Sequence, residues 1–113
     1  MPPPTFSPTT GGLVTRSVGK AGIAAYKASA AFTANSGIKA HAFGLDLINQ
    51  IIGQTGCAGI RVWYGMDTNN RPQLYIVAVD GNGDDILTTG NELILDMSSP
   101  CPNFCPTTTS LES

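Results

Sequence analysis

The chain has 113 residues, a length that corresponds to one domain with a modest hydrophobic core. Only 12% of the residues are charged, about half the usual ~25%, and the net charge is −2. Proteins that bind nucleic acid concentrate Lys and Arg, so this composition argues against a phosphate-backbone partner. A surface so poor in charge favours self-association or a protein partner, and the alternative is a monomer coated with uncharged polar side chains.

Residues 1–12 contain four Pro and two Gly, a composition typical of an extended arm that becomes ordered when it packs on a neighbour. The arm has neither the basic region nor the apolar stretch of a secretory signal. No run in the chain approaches the ~20 apolar residues of a membrane span. We therefore expect cytoplasmic synthesis without a signal peptide and no membrane span, and release or leaderless export stays open.

Two helices are predicted before the middle of the chain. The first lies in residues 13–34, and its best part is 18–32, where Ala is frequent and apolar residues recur at helical spacing. After a break at 35–37, with Ser36 as N-cap, the second helix is predicted over 38–52, where a broad apolar stripe leaves a narrow polar side. The short join predicts an αα-hairpin that covers one face of a sheet.

A β-hairpin is predicted over residues 58–80, because two runs rich in β-branched and aromatic residues flank a polar DTNN turn. With Asn69 and Asn70 as a two-residue type I′ loop, Tyr64 lies opposite Tyr75. One face is then wholly apolar and is predicted to be the core; it contains Ile60, Val62, Tyr64, Tyr75, Val77 and Val79. The opposite face is mixed and contains Arg61, Trp63, Leu74, Ile76 and Ala78.

The residues after the hairpin are predicted to complete the sheet. Short strands at 86–88 and 92–97 follow turns rich in Gly, Asn and Asp. Short connections between consecutive strands favour an antiparallel meander.

The predicted fold class is α+β, with an N-terminal αα-hairpin packed on a three- to four-stranded antiparallel meander. The chain is divided into a Pro-rich extended arm at 1–12, a single domain at 13–98, and a tail at 99–113 that is rich in Pro, Cys and Thr. The tail is predicted as coil, held by Phe104 and its two cysteines.

Four segments between residues 38 and 105 occur in the order IKAHAFGLDLINQI, GCAGIRVWYG, VAVDGNGDD and CPNFC. Together they resemble a family of small uncharacterised bacterial proteins with GCxGIRxxYG and C-terminal CPxxC motifs. That family has no established activity, so the resemblance implies no catalytic or ligand-binding residues. The Ala-rich first helix and the Pro-rich arm lie outside the resemblance.

The cysteines are the first candidates for chemistry. Cys57, Cys101 and Cys105 with His41 supply the ligand types of a Cys₃His zinc site, although C-x3-C is not the usual C-x2-C knuckle. A disulfide between Cys101 and Cys105, or between Cys57 and one of them, would hold the tail in an oxidising compartment. Free thiols are the default state in a cytosolic protein.

A catalytic Cys–His pair needs a thiolate that an imidazolium or a helix N-terminus stabilises. His41 is the only histidine and lies in the second predicted helix, where a partly buried structural role is expected. No G-x-S-x-G, H-E-x-x-H or P-loop motif occurs. We therefore expect no enzymatic activity.

Asp80, Asn82, Asp84 and Asp85 resemble the start of a calcium loop. The EF-hand pattern fails, because its sixth and twelfth positions need Gly and Glu and hold Asp85 and Asn91 here. A looser calcium or magnesium site is the functional alternative to a tight turn, which requires the same Asp, Asn and Gly residues.

The mixed face of the hairpin supplies the candidate interface. Trp63 and Arg61 belong to residue types that are enriched in binding hot spots, and Leu74 and Ile76 lie beside them in the predicted register. The expected function is a non-enzymatic self-assembling structural or protein-interaction module, a homo-oligomer or filament subunit without a cofactor. The alternative is a small metal- or thiol-dependent binding protein that uses the three cysteines or the turn at residues 80–85.

Overall fold

A computed structural model describes residues 6–112, so the first five residues of the predicted arm and Ser113 lie outside the description. Helices and antiparallel strand pairs both occur, which confirms the α+β class. The elements in chain order are α1 (Arg16–Lys27), α2 (Ala30–Ala34), β1 (Ala40–Ala42), α3 (Leu45–Ile52), β2 (Cys57–Met66), β3 (Pro72–Asp80) and β4 (Ser99–Cys101).

The hairpin predicted over residues 58–80 is formed by β2 and β3, but its predicted register was wrong by one residue. Trp63, and not Tyr64, lies opposite Tyr75. The N–H of Asp67 donates to the carbonyl of Arg71 at 2.9 Å, and Asn70 has a φ of 60°. These features define a three-residue loop that ends in a left-handed residue, in place of a two-residue type I′ loop.

The corrected register changes the composition of both hairpin faces, because a one-residue shift gives every side chain a new cross-strand neighbour. Val62 now lies opposite Ile76 and Arg61 opposite Val77. The side that α3 covers, named the helix face, contains Ile60, Val62, Tyr64, Leu74, Ile76 and Ala78. The opposite side, named the Trp face, contains Arg61, Trp63, Tyr75, Val77 and Val79.

The hydrophobic core lies between α3 and the helix face. Ile51 of α3 packs with Ile76, Ala78 and Leu95, and all four are buried. Partly buried apolar side chains surround this cluster: Phe43, Ile48, Cys57, Ile86 and Leu93. β3 is buried on both faces, since Val77 and Val79 of the Trp face are buried as well.

The two strands predicted at 86–88 and 92–97 are replaced by isolated bridges along the free side of β3. Leu95 and Ile76 exchange both of their backbone hydrogen bonds, each at 2.9 Å, and the N–H of Ile86 donates to the carbonyl of Ala78 at 2.8 Å. The segment therefore follows β3 as an irregular third strand, and the predicted meander is only partly formed.

The helix predicted over 38–52 was wrong in its first half. Its residues 40–42 form β1, which pairs antiparallel with β4 in a tail predicted as coil. Gly44 is the N-cap of α3 and is extended, with ψ 152°, so the helix begins at Leu45. Glycine lowers helix propensity, and the pairing of β1 with β4 provides the backbone hydrogen bonds that a longer helix would have made.

The predicted αα-hairpin over the sheet is also not formed. α1 packs on the short α2, whereas α3 is the helix that packs on β2 and β3. α1 and α2 together, named the α1 unit, are held by polar contacts: the hydroxyl of Tyr26 donates to the carbonyl of Ile38 at 2.8 Å and accepts from the amide of Asn35 at 2.9 Å. Since α1 has no buried residue, its predicted apolar stripe covers no core.

Phe6, in the middle of the predicted arm, packs on the chain's own hairpin. Its ring lies against Gly59 on the Trp face, where a Cβ would come within 2.6 Å of the ring carbon Cζ. Glycine is therefore required at this position for the ring to approach the backbone.

We expect Ile51→Ala to lower the free energy of unfolding by about 3 kcal/mol, because it leaves a cavity in the core cluster. Ile51 is 2% exposed and its neighbour Ile52 is 49% exposed. Ile52→Ala is therefore the matched control, with an expected loss below about 1 kcal/mol. Urea titration measures both, and equal losses would show that α3 does not pack through Ile51.

Candidate functional site

The outer edge of β2 is the most distinctive surface of the described chain. Since the N–H and carbonyl of Ile76 are both bonded to Leu95, the opposing pair of Val62 and Ile76 is not hydrogen-bonded across the hairpin. In an antiparallel ladder these pairs alternate, so the backbone groups of Ile60, Val62 and Tyr64 point away from β3. Within residues 6–112, β2 pairs with no other strand, and this edge is open.

The side chains at this edge are apolar and exposed. Tyr64 is 91% exposed, and Ile60 and Val62 are each 43% exposed. Natural sheets protect their edges with Lys, Pro, bulges or covering segments. β2 contains one bulge, at its first residues between Cys57 and Gly59, and one charged side chain, Arg61, which is paired with Asp85. The strand beyond Gly59 therefore has no Lys, Pro or bulge.

Arg61 and Trp63 of the predicted interface lie together on the Trp face. The guanidinium of Arg61 forms an ion pair with Asp85 and donates to the carbonyl of Gly83 at 2.9 Å. The indole Nε1 of Trp63 donates to the other carboxylate oxygen of Asp85 at 3.0 Å. The guanidinium carbon lies 5.8 Å from the centre of the Trp63 ring, a cation–π distance. Asp85 therefore fixes both side chains, and Trp63 remains half exposed.

The other two residues of the predicted interface lie elsewhere. Leu74 and Ile76 belong to the helix face, opposite Tyr64 and Val62. Ile76 is buried in the core cluster and Leu74 is partly buried. In this register they do not share a surface with Trp63, and Ile76 is not accessible to a partner.

The acidic residues at 80–85 build a turn. The carboxylate of Asp80 accepts the N–H groups of Asn82 at 2.9 Å and Asp84 at 3.0 Å. Gly83 has a φ of 85°, and Asp85 is neutralised by Arg61. Among residues 6–112, no group of three or more His, Cys, Asp or Glu side chains is arranged to hold a metal ion.

Cys101 and Cys105 form a disulfide, one of the pairings that the sequence left open. The thiol of Cys57 is free, lies at the start of β2 and donates to the carbonyl of Gly59 at 3.2 Å. Two of the three thiols are thus unavailable as zinc ligands. The disulfide closes the tail directly after β4, whose Cys101 is buried.

His41 lies in β1 and not in a helix. The Oε1 of Gln73 accepts the backbone N–H of Leu74 at 3.0 Å and the hydroxyl of Ser98 at 3.1 Å. The Ser98 hydroxyl therefore accepts from His41 at 2.6 Å, which places the imidazole proton on Nδ1. Burial lowers the pKa of His41, which favours the neutral imidazole.

An open cavity of about 520 Å³ lies beside His41, between the α1 unit and the loop end of the hairpin. Its wall includes Tyr26, Tyr64, Met66 and Leu74, which makes it mainly apolar. Tyr64 and Met66 belong to β2, so the cavity is continuous with the exposed β2 edge. In this wall, the hydroxyl of Tyr26 is bonded to Ile38 and Asn35, and Nδ1 of His41 is bonded to Ser98.

Comparison of the chain with protein-family models, with curated proteins and with solved structures finds no match. In the described part of the chain, no helix has the length and apolar character needed to cross a membrane. We take the open, apolar edge of β2 as the candidate functional site. Its open backbone groups could be recognised only after the register was known, although its apolar residues are visible in the sequence.

We expect the stability of the protein to fall as the pH drops below about 6.5, the ordinary pKa of histidine. The pKa of His41 is lowered in the folded state, so the unfolded chain binds more protons in this range. The stabilising contribution is thus fully present above the unfolded pKa and is lost as the pH falls from there through the lower folded pKa. Thermal unfolding measured across this range should show a weaker pH dependence in His41→Gln, and equal dependence in both proteins would contradict this role.

The disulfide gives a second prediction. Thiol titration of the denatured, unreduced protein should find one thiol, from Cys57, and reduction should raise the number to three. Because the bridge closes a short loop, Cys105→Ser should lower the free energy of unfolding by about 2 kcal/mol. Cys57→Ser is the control and should leave the reductant sensitivity of the melting temperature unchanged. Three free thiols before reduction would contradict the bridge.

Proposed function

We propose that this protein is a non-enzymatic self-assembling module whose copies associate through the open edge of β2. The observation that carries the proposal is the apolar, hydrogen-bond-competent edge formed by Ile60, Val62 and Tyr64. Such an edge is a template for another strand, and proteins that remain monomeric protect it.

The total surface supports the same proposal. The chain exposes 8235 Å², whereas a folded monomer of its mass is expected to expose roughly 5,900 Å². Its radius of gyration is 15.9 Å, against roughly 13 Å for a compact domain of this length. A standard interface buries ~800 Å² from each partner, so the excess is large enough for one such contact.

The charge distribution favours a partner that is apolar and carries no large net charge. β2 has a single charged residue, and Arg61 is already paired with Asp85. Trp63 lies beside the edge on the opposite face and extends the apolar surface that a partner can contact. A second copy of this chain supplies a strand of the same character.

The disulfide between Cys101 and Cys105 supports an oxidising destination for the protein, since such bonds persist mainly outside the cytosol. Release or export after synthesis is therefore part of this proposal. An assembling module whose tail is closed by a disulfide is suited to that environment.

We expect the wild-type protein to show a concentration-dependent mass above 11.7 kDa in sedimentation velocity, and the larger species should persist at high salt. Association through apolar groups and backbone hydrogen bonds is only weakly screened, whereas ion-pair association weakens as salt rises. Chelator and reductant are the controls and should leave the mass unchanged. A monomer at every concentration would overturn the proposal, and a chelator-dependent mass would favour a metal-dependent protein.

A further inference from the structure

We infer that the occupant of the β2 edge is β2 of a second copy, in an antiparallel two-fold pairing centred on Val62. The inference rests on the proposed self-association and adds its geometry. The pairing joins two hairpins into one continuous four-stranded sheet, with the two β2 strands at its centre.

The hairpin register restricts how two β2 strands can pair. The backbone groups of Ile60, Val62 and Tyr64 point outward, so these even-numbered residues must form the hydrogen-bonded pairs with the second copy. When β2 pairs antiparallel with a second β2, the two-fold axis must then pass through a residue and not between two residues. Near the middle of the strand, the residue at this centre is Arg61, Val62 or Trp63. Each centre places a different set of side chains opposite one another.

Charge excludes the centre at Arg61. That register places the Arg61 side chains of the two copies directly opposite each other, and like charges in this position destabilise a sheet. The centre at Trp63 places Arg61 opposite Gly65, which has no side chain to contact.

The centre at Val62 gives favourable side-chain pairs on both faces of the sheet. On the Trp face, Arg61 of each copy lies opposite Trp63 of the other, which repeats between copies the cation–π contact already present within the chain. On the helix face, Ile60 lies opposite Tyr64 of the second copy, and Val62 lies opposite itself. The three outward residues of each strand form about six hydrogen bonds between the copies.

The pairing also covers apolar side chains of β2 that the chain's own fold leaves exposed. Ile60, Val62 and Tyr64 are exposed on the helix face, because the core lies mainly over β3. In the paired sheet, the same three side chains of the second copy lie directly beside them. Apolar side chains opposite each other across antiparallel strands stabilise the pair.

The first test uses charge at the two-fold centre. Val62→Lys and Val62→Glu should each raise the dimer dissociation constant by more than about tenfold, because like charges then face each other. An equimolar mixture of the two variants should restore a dimer that contains one copy of each, identified by native mass spectrometry. Leu87→Lys changes an exposed apolar residue outside β2 and is the control that should associate as the wild type does.

A second test distinguishes the registers. In the pairing centred on Val62, Ile60 lies opposite Tyr64 of the second copy, so Ile60→Lys combined with Tyr64→Glu creates complementary charges and should retain association. Ile60→Lys combined with Tyr64→Lys should prevent it. In the register centred on Trp63, neither pair of substitutions gains a complementary partner, and both variants should be monomeric.

The outcomes separate the β2 pairing from the self-association on which it rests. Association that persists in Val62→Lys overturns the β2 pairing and leaves self-association through another surface. A monomeric wild type overturns both. Circular dichroism checks the fold of every variant. Tyr64 is 91% exposed, so we expect Tyr64→Lys to fold as the wild type does. If Tyr64→Lys folds and associates as the wild type does, the inference is wrong.

Discussion

The register of the β2–β3 hairpin is the constraint on which the rest of the structure depends. The carboxylate of Asp67 accepts the N–H groups of Asn69 and Arg71, while the N–H of Asp67 donates to the carbonyl of Arg71. These bonds close a three-residue loop and place Val62 opposite Ile76. Because the other side of Ile76 is then bonded to Leu95, the loop also determines where the C-terminal half joins the sheet.

The sequence was sufficient to predict the features that depend on local pattern. The α+β class and the hairpin follow from apolar periodicity, and the turn at Asp80 follows from the side chains that turns require. The register was predicted wrongly because Asn70 can adopt the positive φ that both a two-residue and a three-residue loop need. The three-residue loop is distinguished by the carboxylate of Asp67, which accepts the N–H of Arg71. Because of this single ambiguity, Tyr75, Val77 and Val79 were predicted on the face that α3 covers, where the structure has Leu74, Ile76 and Ala78.

Features that depend on distant partners were not predictable from local pattern. Residues 40–42 continue an apolar helical stripe in the sequence, but they pair with residues 99–101, almost sixty positions later. The backbone of Lys39 is likewise bonded to Cys101, at 2.8 Å. Propensity is a weak guide where tertiary contacts compete with it, and here the pairing of β1 with β4 displaced the first half of the predicted helix. For the candidate site, Trp63 and Arg61 were predicted, whereas the edge formed by Ile60, Val62 and Tyr64 required the register.

The exposure of β2 follows from the lengths of the elements. α3 has eight residues and is about 12 Å long, whereas β2 has ten residues and is about 33 Å long. A helix this short covers one part of the hairpin, where its buried Ile51 packs on Ile76 and Ala78 of β3, the middle strand. Residues after position 84 bond to the far side of β3, so the part of the chain that the structure describes adds its third strand there and none beside β2. The open edge is thus a consequence of where the covering elements lie, and a strand from another copy is a cover of matching length.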